Sequence, residues 1–128
     1  MLFRSGPRLT PGFWKNHEAA TTALLPVSLG NYVVNTFAKA RAIFDAMKCS
    51  APINCLAAHL LAAKLDLKGG SDPSIQPTID KANAFLSGGV ADGVTGVNYH
   101  GVDNYTLTSA QKAEALALET IIDAYTNQ

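Results

Sequence analysis

Apolar positions along this chain fall into blocks with a helical period, and prolines and glycines separate the blocks. Thr10 followed by Pro11 reads as an N-cap and a first helical position: the threonine oxygen can accept from an orphan backbone N–H, and proline has no N–H to leave unpaired. A first helix is expected from Pro11 to about Leu24, ended by Pro26. VSLGN then gives an extended piece that turns around Gly30 and Asn31. From Asn35 or Thr36, Phe37, Ala40, Ile43, Phe44 and Met47 recur at three- and four-residue spacing, as one buried helical face requires.

The segment CSAPINC interrupts, because Pro52 disfavours helix in the residue before it. LAAHLLAAKLDLKGG follows as a third helix. Leu56, Leu60, Ala63 and Leu67 share one face, Leu61 and Leu65 widen it, and Gly69 and Gly70 end it. Its alanine content suits close packing at the centre of the domain. Asp72-Pro73 repeats the cap-plus-proline start, and Ile75, Ile79, Ala82, Phe85 and Leu86 continue a fourth helix whose first turns Pro77 disturbs.

Residues 87–105, SGGVADGVTGVNYHGVDNY, hold five glycines and no helical period. They read as a loop or a short hairpin pinned by Val90, Val94, Val97 and Val102, and a structureless stretch of that length often carries function. Thr108-Ser-Ala-Gln111 is a capping box, and the last helix presents Ala115, Leu118, Ile122 and Tyr125 on one face. The reading is a mainly α single domain of about five helices over residues 10–128, with the Gly-rich loop before the last helix and residues 1–9 as an N-terminal arm.

Composition narrows the setting. The 128 residues suit one core, with 48% hydrophobic and only 16% charged positions, well under the roughly 25% charged of typical soluble domains. The surface is therefore expected to be rich in Thr, Ser, Asn and Gly, as in secreted proteins. Ten basic and ten acidic residues give zero formal net charge, with no basic cluster beyond the loose Arg4 and Arg8. Nucleic-acid binding, which needs concentrated Lys and Arg, is not expected. No apolar run approaches the roughly 20 residues that cross a bilayer, so membrane insertion is not expected. MLFRSGPR lacks the long apolar segment of a secretory signal, which leaves export open.

Cys49 and Cys55 are the only cysteines. Six residues along one regular helix exceed the reach of a disulfide, but a loop at Pro52 could bring the pair together as a staple between the second and third helices. Two readings stand: that staple, which would support export, or two buried free thiols in a reducing cytosol. Their spacing is wrong for a zinc knuckle.

His17, His59 and His100 are the candidates for metal or base chemistry. If they converged, they would make a three-imidazole site with an open position for a divalent transition metal. Paired ligands such as HExxH are absent, and each histidine has an ordinary reading as a hydrogen-bonded contact or a surface residue. There is no GxSxG elbow and no GxxxxGK[ST] phosphate cradle. Asp66, Asp72, Asp80, Asp92 and Asp103 are scattered, without the DxDxDG of a calcium loop, and Asn104-Tyr-Thr106 stands as a sequon or as chance. Trp14, with Tyr99 and Tyr105, could form a sugar platform, whereas burial of one ring of the Phe13–Trp14 pair would make the motif architectural.

TPGFWKNH, LPVSLGN, LAAHLLAAKLDLKGG, ANAFLSGG and LALETIIDAYTNQ, in that order, resemble a domain family of bacterial secreted and cell-surface proteins. That family opens on a T-P-G-[FY]-W-K-N-H-like motif and carries an L-A-x-x-L-x-A-A-K-L-N-like helix, so Phe13, Trp14, His17 and Leu60 are motif positions. The similarity covers the chain from Thr10 onward. It implies an extracellular, mostly helical module of unassigned function, without catalytic residues. Leu9 stands where a cysteine often precedes the motif, and Asp66 replaces the usual Asn. The expected function is a non-catalytic structural or interaction domain with a protein partner or further copies of itself. In the self-assembling version, neighbouring subunits order the arm and the 87–105 loop. A metal site and a glycan-binding module are the alternatives.

Overall fold

The computed structural model describes residues 8–127. Of the predicted arm, only Arg8 and Leu9 are among them. The described residues are mainly α, 59% helical, with six helices and two small two-stranded sheets. The helices are α1 (Pro11–Asn16), α2 (Glu18–Leu24), α3 (Phe37–Asp45), α4 (Pro52–Lys68), α5 (Gln76–Leu86) and α6 (Ser109–Thr126), with a 3-10 turn at Pro73–Ile75 before α5.

The sixth helix comes from a break in the expected first one. His17 leaves helical backbone at φ −127° and ψ 76°, and side chains close the end of α1. Asn16 Nδ2 donates to the Gly12 carbonyl at 2.9 Å, His17 Nδ1 bonds the Phe13 carbonyl at 2.7 Å, and the Thr21 hydroxyl donates to the Trp14 carbonyl at 2.7 Å. The Phe13 and Trp14 carbonyls are among the last four of α1 and have no partner within the helix.

Helix α4 is the centre. Every residue from Ile53 to Ala63 is buried, as are Leu65 and Asp66, because α6, α5, α1 and α3 surround it and the first hairpin packs on it. Its small residues allow that enclosure, and burying each of Leu56, Leu60, Leu61 and Leu65 contributes about 1.5–3 kcal/mol. The helix starts at Pro52, earlier than expected. Proline is tolerated at a first helical position, so the residue that was to keep the loop open begins the helix, and Cys55 lies in its first turns rather than in a loop.

The extended piece turning at Gly30-Asn31 and part of the Gly-rich segment both form short hairpins. β1 (Val27–Leu29) pairs antiparallel with β2 (Tyr32–Val34) across Gly30-Asn31. Gly30 has φ +61° and donates its N–H to Asn83 Oδ1 at 2.8 Å, and a Cβ there would collide with the Leu86 carbonyl. β3 (Val90–Ala91) pairs with β4 (Val94–Thr95). Asp92 and Gly93 both take positive φ in the turn between them, as a tight Asp-Gly hairpin demands. Two of the four expected valine pins hold this region: Val94 and Val97 pack against the core beside buried Ala91 and Tyr99, while Val90 and Val102 are exposed. Gly96 lies so close to Phe85 that a Cβ would overlap its carbonyl, and that carbonyl accepts the Val97 N–H at 2.9 Å.

Candidate functional site

The opening motif is anchored in the core through Pro11 and Trp14. Trp14 is 4% exposed and meets Phe13 edge-on, with centroids 5.1 Å apart. Phe13 is half-buried and carries the His17 ring stacked on it at 3.9 Å. The Trp14 indole donates to Asp66 of α4 at 2.9 Å, and the same carboxylate accepts the Leu9 N–H. Burial pushes Asp66 up to about 6 against these hydrogen bonds and the nearby Arg8. Next to it, Arg8 pairs with Asp72 at 2.9 Å and lies over the Tyr125 ring, whose hydroxyl donates to the Asp72 carbonyl.

The three predicted histidines do not meet. His17 is exposed and bound to its own helix end. His100 is exposed and faces Asp103 at 2.7 Å, a bond that raises its pKa. His59 alone is buried, on α4. The imagined sugar platform also comes apart. Tyr99 and Tyr105 stack at 5.9 Å, but Tyr99 is buried, and Trp14 is sealed inside the core beside Asp66.

The densest cluster of chemistry among the described residues surrounds His59. Its Nε2 lies 3.3 Å from Glu119 Oε2 and 3.3 Å from Asp123 Oδ1, both on α6. Its Nδ1 lies 2.9 Å from the Cys55 carbonyl. Cys49 and Cys55 are joined in a disulfide, with Cα atoms 4.9 Å apart. This ties the α3–α4 connection to the start of α4, and Glu119 comes within 4.8 Å of both sulfurs. His59, Glu119 and Asp123 each offer a ligand atom within 4.8 Å of the others. Sequence reasoning named His59 but missed its partners. The available signal was the i,i+4 spacing of Glu119 and Asp123, which puts two carboxylates on one side of a predicted helix.

A second acidic pair spans the β3–β4 turn and α6, where Glu114 of α6 faces Asp92 of the turn, itself paired with Lys81 at 2.8 Å. Burial and then Asp92 raise the Glu114 carboxyl. A cavity of about 240 Å³ opens between the start of α4 and the segment before α6, lined by Asn54, Asp103, Tyr105 and Lys112 among others. No helix of the described residues is long and apolar enough to cross a membrane. No family model, curated protein or solved structure matches the chain.

Proposed function

We propose that this chain is a non-catalytic structural or interaction module of the bacterial cell surface or its exterior, working through contact with a protein partner or with further copies of itself. The observation that carries this reading is the internal engagement of the opening motif. Trp14, Asn16 and His17 all hold backbone or core groups of their own chain, so the most distinctive stretch of the sequence serves architecture. The disulfide adds support, since such bonds persist in oxidising compartments, and so does the resemblance of the motif order to secreted bacterial domains. Zero net charge leaves little self-repulsion against association.

The test is the native mass of the protein from its parent cells, by light scattering behind size exclusion, together with cross-linking at the cell surface. The expected result is a multiple of the chain mass or a stoichiometric complex with a surface protein. A monodisperse monomer at high concentration, with no partner recovered, overturns the proposal.

A further inference from the structure

The His59 cluster carries an inference that does not depend on the proposed function. A backbone carbonyl only accepts hydrogen bonds, so the 2.9 Å contact from His59 Nδ1 to the Cys55 carbonyl places a hydrogen on Nδ1. In the neutral ring, Nε2 is then a bare lone pair. It faces Glu119 Oε2 and Asp123 Oδ1, each 3.3 Å away, and ionised carboxylate oxygens have only lone pairs to offer. Three electron-pair donors thus converge on one small volume, which needs positive charge within it.

We propose that His59 Nε2, Glu119 and Asp123 hold one divalent transition-metal ion, of which Zn²⁺ is the best-suited, bracing α4 against α6. The two separations from His59 fit: a tetrahedral ion with bonds of about 2.0–2.1 Å holds its donors about 3.3–3.4 Å apart, and the Glu119 and Asp123 oxygens lie within 4.8 Å of each other. The ligand set fits as well, since an imidazole with two carboxylates selects such ions over the all-oxygen sites of calcium and magnesium. Two carboxylates also balance a double positive charge. A ligating histidine characteristically donates its other ring N–H to a carbonyl or carboxylate, and the Cys55 carbonyl fills that role here. Asn127 Nδ2 donates to Asp123 Oδ1 at 2.8 Å, orienting that carboxylate while leaving it a lone pair for the ion. Side-chain exposure runs from 7% at His59 and 12% at Glu119 to 48% at Asp123. The site is closed on the α4 side and open beside Asp123, where an ion can enter and a water can complete the shell.

The competing occupant of the same volume is a proton on Nε2, which would make His59 an imidazolium shared by the two carboxylates. The experiment separates the two. The full chain is stripped with EDTA, kept oxidised so that no thiol beside Glu119 can bind metal, and titrated with ZnCl₂ by calorimetry and thermal unfolding. The expected result is about one equivalent bound, a melting temperature that rises with free zinc, and tetrahedral d–d bands when Co²⁺ replaces zinc. Asp123→Asn, on the exposed rim, is expected to fold and to weaken uptake at least about tenfold. Glu119→Gln should do the same, and His17→Ala and His100→Ala should leave stoichiometry unchanged. Uptake below about a tenth of an equivalent with zinc in excess, wild-type affinity in Asp123→Asn and Glu119→Gln, or loss of binding in the His17 or His100 variant overturns the proposal.

Discussion

The Trp14 indole N–H and the Asp66 carboxylate meet at 2.9 Å across 52 residues of chain. That bond fixes the first helix against the central one. Burial raises the Asp66 pKa from its ordinary 3.8 to about 6, so the folded state holds the proton more tightly than the unfolded chain does. The resulting stabilisation is fully present below pH 3.8 and is lost as pH rises through about 6. Asp66→Asn, which keeps an acceptor for the indole but cannot ionise, is expected to flatten this part of the pH profile, on the order of 1–2 kcal/mol after solvent screening. Urea unfolding followed by Trp14 fluorescence across that range measures it. A variant whose slope matches the wild type would contradict the assignment.

Reduction of Cys49–Cys55 opens a short loop that runs from the α3–α4 connection into the first turn of α4. In the chain-entropy picture its loss costs about 2 kcal/mol, and Cys49→Ser with Cys55→Ser should reproduce the effect of reductant. Chemical denaturation with and without a reducing agent gives the difference. A wild type whose midpoint ignores reductant would show that the bridge does not constrain the unfolded chain.

The glycines in and beside the two hairpins should separate by mechanism. Gly93→Ala meets no neighbouring atom but keeps φ +82°, so it should cost about 1–2 kcal/mol of left-handed strain. Gly96→Ala must displace the Phe85 backbone, and Gly30→Ala combines a collision at Leu86 with φ +61°. Both are expected to cost more than Gly93→Ala, about 3 kcal/mol or beyond. Thermal melts of the three variants rank them, and equal losses would contradict the packing described.

Local signals served the fold best where neighbours in sequence decide the structure. The capping box at Thr108 and Gln111 forms as the spacing predicts, and the face Ala115, Leu118, Ile122, Tyr125 is buried throughout. The face Ile75, Ile79, Ala82, Phe85, Leu86 is likewise buried despite Pro77. Met47 departs from its pattern and is exposed, because α3 ends at Asp45 before the period reaches it. The break at His17 was hidden, since polar side chains that cap carbonyls look like the ordinary solvent face of a longer helix. Periodicity also could not supply the partners of His59. Whether Glu119 and Asp123 face it depends on how α6 is rotated against α4, and that angle is set by the packing of the whole core.

Helix α4 has no solvent-facing stripe over most of its length, which has a consequence for how the chain must fold. An amphipathic helix can wait half-dressed at the edge of a partial structure, but a helix enclosed on nearly all sides is shielded only when every neighbour has docked. Intermediates that lack α6 leave a greasy rod uncovered, so folding is pushed toward a concerted transition. Pieces of the chain that omit the last helix are destined to clump rather than to fold alone.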